Sequence, residues 1–144
     1  MKTSLLILIS SMLLTTKAFS MTWTTIDLGI NNIEPHRGGV ISIYVFLKEG
    51  FPVKHDQALR YFSCDVNTES LRVEIEVPNV PFALKVHHDE DNSGAVSKNW
   101  TGFIPAEGLG FSSGAKLGFG PPSFKDAMMT LPENYATEIN ISYP

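Results

Sequence analysis

The sequence predicts an all-β fold, an antiparallel β-sandwich of about seven strands with a long Gly- and Pro-rich loop at one end. Two observations favour this fold class. Apolar and polar residues alternate with a period of two along much of the chain, which is typical of strands that bury one face. Turn-forming clusters of Gly, Pro and Asn separate these runs, and no stretch after residue 20 sustains a helical period.

The predicted strands follow one another along the whole domain. They are residues 26–30, 40–47, 60–66, 71–77, 82–88, 124–131 and 137–143. The clearest is Leu71–Val77, in which four aliphatic residues alternate with three charged ones. Val40–Leu47 is apolar almost throughout and is expected to be a central strand with both faces covered. Segment 124–131 is predicted to be a strand, and the alternative is a helix, because Ser123-x-x-Asp126 at its start matches a capping box.

Residues 1–20 are predicted to be a secretory signal peptide, followed by a single domain of residues 21–144. Lys2 supplies the positive start, Leu5–Leu14 the apolar stretch, and Ala18-Phe19-Ser20 the small-x-small cleavage site. The competing interpretation is that Met21 is an alternative start. A cleaved leader implies a periplasmic or secreted protein.

The apolar stretch is too short to span a bilayer, so no transmembrane segment is expected. A bacterial lipoprotein needs a cysteine directly after the cleavage site, and the sole cysteine is Cys64. A single cysteine cannot form an internal disulfide, and Cys64 is predicted to be a small buried hydrophobe rather than a nucleophile. The formal net charge of −4 argues against nucleic acid and anionic lipid surfaces as partners.

Several short blocks of sequence occur in an order that resembles a family of secreted bacterial proteins, catalogued as domain of unknown function 2141. The blocks are Gly50-Phe51-Pro52, His88-Asp89-Glu90, Gly102-Phe103-Ile104-Pro105, Glu107-Gly108-x-Gly110-Phe111-Ser112 and Phe119-Gly120-Pro121-Pro122-Ser123-Phe124-x-Asp126-Ala127. The resemblance covers nearly all of the predicted domain. It implies an immunoglobulin-like or transthyretin-like sandwich and brings no established activity.

The turn after the fifth predicted strand carries oxygen at every second position. A calcium ion could be held there by Asp89, Asp91, Ser93, the carbonyl of Ala95, and Ser97. An EF-hand closes with a glutamate where this chain has Trp100, so a further ligand would have to come from elsewhere, for example Glu107 or Asp126. The family pattern has a carboxylate where Ser97 stands, which implies weaker cation binding. The simpler interpretation is an exposed turn, because Asp, Asn, Ser and Gly favour turns. Calcium is therefore possible, and no other cofactor is expected.

His87 and His88 are neighbours on a predicted strand, so their side chains point to opposite faces. His88 is a candidate ligand-binding residue or base because it adjoins Asp89. The alternative is that its ring hydrogen-bonds a loop backbone and holds it in place. The sequence motifs of common hydrolases, metalloproteases and phosphate-binding loops are absent, which favours a non-enzymatic role without excluding catalysis.

Four aromatic residues lie among the glycines of segment 88–127, namely Trp100, Phe103, Phe111 and Phe119. With His88 they form the predicted ligand-binding set, lining a groove for a carbohydrate, peptide or apolar molecule. The pattern favours instead a lid, in which the four rings fold inward over one end of the sandwich, although the mobile edge of such a lid can also bind a ligand.

The leading hypothesis is a non-enzymatic binding or accessory module. It would contact an unknown envelope or extracellular ligand or protein through segment 88–127. The alternative is a calcium-binding or metal-dependent protein, including a hydrolase, that uses the Asp89-Asp91-Ser93 turn.

Overall fold

The computed structural model describes residues 20–144, so the predicted signal peptide lies, apart from its last residue, outside the described residues. Among the described residues are seven strands: β1 (Trp23–Asn31), β2 (Val40–Phe46), β3 (Arg60–Asp65), β4 (Leu71–Pro78), β5 (Ala83–Asp89), β6 (Gly108–Phe111) and β7 (Ala136–Asn140). They are accompanied by one short helix, α1 (Phe124–Ala127), and by several 3-10 turns. No helix in this part of the chain is long and apolar enough to cross a membrane.

The strands form two sheets with the orders β4-β1-β7 and β3-β2-β5-β6. All pairs are antiparallel except β1 and β7, which run parallel. Aliphatic side chains from both sheets meet in one core. It includes Ile26, Leu28 and Ile30 of β1, Ile41, Ile43 and Val45 of β2, Ile75 and Val77 of β4, Leu84 and Val86 of β5, and Ile139 of β7. The prediction of an all-β, mainly antiparallel sandwich is therefore confirmed.

Strand β4 shows the one-sided burial that its sequence predicted. Arg72, Glu74 and Glu76 are exposed, while Ile75 and Val77 are buried. Cys64 of β3 packs, partly buried, against the core, and this burial raises the pKa of its thiol. The thiol therefore stays protonated near neutral pH, as expected for a hydrophobe rather than a nucleophile.

The prediction of a strand at 124–131 is wrong, because the chain forms α1 there. Ser123 caps this helix: its hydroxyl accepts the N–H of Asp126 at 3.3 Å, and the Asp126 carboxylate accepts the N–H of Ser123 at 3.3 Å. This reciprocal capping satisfies two helix-end donors locally. Beyond the helix, Met129 forms only an isolated bridge with Phe82.

The remaining strand is β6, which lies inside the segment that was predicted to be a loop. Leu109 exchanges backbone hydrogen bonds of 3.0 and 2.9 Å with Ser142, so β6 links the second sheet to the C-terminal end of the chain. A Cβ atom on Gly108 would lie 2.4 Å from the Tyr143 ring, and one on Gly110 would lie 2.6 Å from Ile139. The pattern Gly108-x-Gly110 therefore allows the two sheets to approach closely at this edge.

Candidate functional site on the covered face of the second sheet

Three ionisable side chains lie on the face of β5 that points away from the core. Lys85, His87 and Asp89 alternate along the strand and are each at most 4% exposed. Like the outer face of β4, this face of β5 is polar, but unlike that face it is not solvent-exposed. Two segments, 51–57 and 90–107, cover it. We call these three residues the polar row and the two segments the covering segments.

Glu107 connects the second covering segment to the polar row. Its Oε2 lies 2.8 Å from His87 Nε2 and accepts the N–H of Ser97 at 2.8 Å, while Oε1 accepts the N–H of Glu90 at 2.9 Å. An ionised carboxylate only accepts hydrogen bonds, so His87 Nε2 carries the proton and Nδ1 carries the lone pair. Burial lowers the pKa of His87, which keeps the imidazole neutral near neutral pH.

His87 Nδ1 is buried and has no hydrogen-bond partner among the described residues. One ligand atom each from His87, Asp89 and Glu107 can be chosen so that all three lie within 4.8 Å of one another. An imidazole nitrogen and two carboxylate oxygens at this spacing are a donor set that divalent metal ions bind. Glu107, which the sequence suggested as a further ligand beside Asp89, is therefore close to it.

Lys85 connects the polar row to the first covering segment. Its Nζ donates to the Pro52 carbonyl at 2.9 Å and lies 2.8 Å from His55 Nε2. Burial lowers the pKa of Lys85 to about 8. His55 in turn stacks on Tyr44 with ring centroids 4.0 Å apart, and its Nδ1 lies 3.1 Å from the Gly94 carbonyl. His55 therefore joins the two covering segments.

The acidic turn is held by hydrogen bonds among the residues that were predicted to bind calcium. Asp89 accepts the N–H groups of Ser93 and Gly94 at 3.0 and 2.8 Å. Asp91 accepts the N–H of Ser93 at 3.0 Å and the hydroxyl of Ser97 at 2.7 Å, and the Ser93 hydroxyl donates to the Ala95 carbonyl at 2.9 Å. Hydrogen bonds from Ser93 and Ser97 lower the pKa of Asp91 to about 2. The oxygens of Asp89 and Asp91 thus converge on N–H donors, which a calcium ion would have to displace.

His88 lies on the core side of β5, opposite His87, as its position in the strand predicted. It is fully buried, its Nε2 donates to the Gly38 carbonyl at 2.6 Å, and its Nδ1 accepts the Tyr143 hydroxyl at 2.7 Å. The geometry is that of a histidine which holds a loop backbone in place, the alternative weighed for it above.

The four predicted aromatic residues separate into two groups. Phe111 is 5% exposed and packs with Phe51 and Phe124 in a small apolar cluster on the covered face. Trp100 is 95% exposed, Phe103 is 87% exposed, and Phe119 is fully exposed. The prediction that the aromatic residues fold inward as a lid is therefore correct for Phe111 and wrong for Trp100, Phe103 and Phe119. We call Trp100, Phe103 and Phe119 the aromatic surface.

A groove of about 430 Å³ lies along β6 and the C-terminal end of the chain. Ile104, Glu107 and Leu117 are among its lining residues, together with β6 and the C-terminal end of the chain. Trp100, Phe103 and Phe119 do not line it. Of its lining residues, Ile104 follows Phe103 directly in sequence, and Leu117 precedes Phe119 by two residues.

Sequence reasoning missed the roles of Lys85, His55 and His87. The available signal was the alternation of ionisable residues at 85, 87 and 89 on one strand face. His55 carried no signal, because its hydrogen-bond partners Lys85 and Gly94 lie 30 and 39 residues away in the chain.

A family model described as an uncharacterised protein conserved in bacteria, DUF2141, matches residues 28–140, which extend from within β1 to the end of β7. Neither a curated protein nor a solved structure matches the chain.

Proposed function

We propose that this chain, which belongs to the uncharacterised bacterial family DUF2141, is a non-enzymatic binding module of the periplasm or the extracellular space. Its partner is another protein, which contacts the surface of segment 88–127. The observation that carries this proposal is the exposure of Trp100, Phe103 and Phe119 on a segment whose base is tied to the sheet. Large exposed aromatic side chains on an ordered scaffold are typical of interaction surfaces.

The size of the aromatic surface fits a protein partner. Three aromatic side chains can bury together about 450–750 Å², and a standard interface buries about 800 Å² on each partner. A small molecule in the groove would contact Ile104 and Leu117 instead, because the three exposed rings lie outside its lining. The exposed rings therefore favour a partner with an extended surface.

Burial of the ionisable groups supports a non-catalytic role. The side chains of the polar row, Lys85, His87 and Asp89, are buried. None of them lines the groove, whereas Glu107, which contacts the row, does. A substrate would have little access to the groups that could move protons. The calcium alternative draws little support from the turn, because its carboxylates already accept backbone N–H groups.

The proposed location rests on the predicted leader and can be tested separately. Mass spectrometry of the protein from periplasmic and medium fractions should find an N-terminus at Met21. A chain that remains in the cytosol and retains Met1 would contradict an exported function.

Site-specific photo-crosslinking in the native host tests the binding surface. A benzoylphenylalanine residue replaces Trp100, Phe103 or Phe119 in turn, and Tyr135, which is 58% exposed and lies outside segment 88–127, is the matched control position. The same protein should be captured from at least two of the three aromatic positions and not from position 135. Trp100→Ala should then reduce crosslinking from position 103. Equal products from position 135, or none from all three aromatic positions, would contradict the proposal.

A further inference from the structure

We propose that the partner of the aromatic surface is a protein with an acidic contact face, on which Asp and Glu side chains surround an apolar patch. Lys98 and Lys116 would pair with those carboxylates while the exposed rings contact the patch. This chemistry of the partner rests on the binding function proposed above. We call Lys98 and Lys116 the lysine pair.

The first lysine lies at the base of a hairpin that carries two of the exposed rings. Lys98 forms an antiparallel β-bridge with Pro105, which closes a hairpin of residues 98–105. Trp100 and Phe103 lie within this hairpin and are almost fully exposed, and Lys98 is exposed as well. The hairpin therefore presents a positive charge at its base and two apolar rings beyond it.

The second lysine lies at the groove that the hairpin also reaches. Lys116 and Leu117 line the groove together with Ile104 of the hairpin, so two separate loops meet at one opening. Lys116 is exposed, and both apolar neighbours are partly accessible, Ile104 at 52% and Leu117 at 38%. The lysine pair therefore accompanies exposed apolar side chains on both loops.

These two loops are positively charged in a chain that is acidic as a whole. The chain has 15 Asp and Glu residues against 11 Lys and Arg, yet residues 98–105 and 116–120 contain no acidic residue. Between Asp91 and Asp126 the sole acidic residue is Glu107, which is 3% exposed. The surface around the exposed rings thus has a charge opposite in sign to that of the whole chain.

Neither Lys98 nor Lys116 forms a salt bridge within residues 20–144. An exposed carboxylate does line the groove, that of Glu138, but Arg72 binds it at 3.0 Å. Both lysines are therefore available to carboxylates of a partner. Complementary charges around an apolar centre fix the orientation of two proteins and speed their encounter.

The number of lysines favours a protein over a lipid or nucleic-acid surface. Recognition of anionic lipid takes clusters of about four to eight basic residues, and nucleic acids are bound by strongly basic patches or domains. Here the two loops supply one lysine each, and the formal net charge of −4 repels an extended polyanion. A protein can confine its acidic residues to the area that the two loops contact.

Charge reversal in the crosslinking assay tests the lysine pair. Benzoylphenylalanine at position 103 reports capture from envelope extract of the native host. The double variant Lys98→Glu/Lys116→Glu should lower the yield of crosslinked partner at least about fivefold. Lys48→Glu reverses an exposed lysine outside the two loops and should leave the yield unchanged. Raising NaCl from about 0.1 M to about 1 M shortens the Debye length from about 10 Å to about 3 Å and should also lower wild-type capture.

A charge exchange between the two proteins shows whether the lysines contact carboxylates directly. Mass spectrometry of the crosslinked peptides identifies the partner and the region that position 103 contacts. Replacing an acidic residue of that region by lysine should lower capture by the wild type and restore capture by the double variant. A damaged fold would not be rescued in this way.

The possible failures can be told apart. Capture that is undiminished in the double variant, or in high salt, refutes the acidic partner and leaves the binding function standing. No product from any aromatic position of the wild type refutes both. Purified wild-type protein should bind neither vesicles of phosphatidylglycerol and phosphatidylcholine nor an oligothymidylate. Binding to either that the double variant loses would assign the lysines to a lipid or nucleic-acid surface and overturn the protein partner.

Discussion

Glu107 Oε2 lies 2.8 Å from His87 Nε2, a residue 20 positions earlier in the chain, and this contact joins β5 to the segment that covers it. The same carboxylate accepts the N–H groups of Glu90 and Ser97. Hydrogen bonds to a charged group contribute about 1.5–3 kcal/mol each. Segment 90–107 is therefore bound to the sheet at its base, while its aromatic residues remain exposed at a distance from that base.

The four aromatic residues of segment 88–127 should respond differently to truncation. Phe111→Ala removes a ring from the apolar cluster around Phe51 and should lower the free energy of unfolding by about 3–5 kcal/mol. Trp100→Ala removes an exposed ring and should change the free energy of unfolding by less than about 0.5 kcal/mol. Urea unfolding of both variants measures the difference. A Trp100→Ala loss as large as that of Phe111→Ala would place Trp100 in the core.

The glycines of β6 should not tolerate a side chain. Gly108→Ala places a Cβ 2.4 Å from the Tyr143 ring, and Gly110→Ala places one 2.6 Å from Ile139, so each should cost about 1–3 kcal/mol through forced displacement. Gly118→Ala is the control, because a Cβ there meets nothing within 4 Å. In thermal melts, the midpoints of Gly108→Ala and Gly110→Ala should lie well below that of Gly118→Ala. Equal midpoints for all three would mean that β6 does not pack against the C-terminal end of the chain.

Tyr143 should stabilise the fold through its hydroxyl. The oxygen accepts the N–H of Glu34 at 3.0 Å while the hydroxyl donates to His88 Nδ1 at 2.7 Å. Tyr143→Phe leaves both groups without this partner and should cost about 1–3 kcal/mol. Tyr135→Phe, at a site that is 58% exposed, should be close to neutral in the same urea titration. If Tyr143→Phe left the free energy of unfolding unchanged, solvent would have to replace the hydroxyl as the partner of His88.

The capping box of α1 should make a contribution that acid removes. Hydrogen bonds from the Ser123 hydroxyl and N–H lower the pKa of Asp126 below its ordinary value of 3.8. Since the native pKa is below the unfolded one, the stabilisation is complete above the unfolded pKa and is lost as the pH falls through the native pKa. The free energies of unfolding of wild type and Asp126→Asn should differ near neutral pH and should converge as the pH falls through the native pKa of Asp126. A difference that persists unchanged in acid would assign it to something other than the carboxylate.

Much of the fold could be predicted, because the order of apolar and polar residues along β1, β2 and β4 indicates which of their side chains are buried. Arg72, Glu74 and Glu76 alternate with aliphatic residues, and the structure exposes them. Strand β6 has no such pattern, because two of its four residues are glycines and its pairing with β5 and Ser142 is a tertiary effect. Segment 124–131 contained competing signals, and the structure forms the helix that the capping box of Ser123 and Asp126 indicates.

The candidate site was harder to predict because its cover is non-local. The alternation of Lys85, His87 and Asp89 is what a solvent-facing strand also shows. Only the approach of His55 and Glu107 from distant positions turns that face into an interior. Periodicity reports which residues share a face and does not report what packs on it.

Amide hydrogen exchange at Glu90 and Ser97 tests most directly whether segment 90–107 is an ordered part of the domain. Both N–H groups donate to Glu107, so their exchange should be slowed by a factor on the order of 100 or more relative to an unstructured peptide. Glu107→Gln should remove most of that protection while the amides of β2 remain protected. Exchange of Glu90 and Ser97 at unstructured rates in the wild-type protein would contradict the account, because the aromatic surface would then have no fixed base.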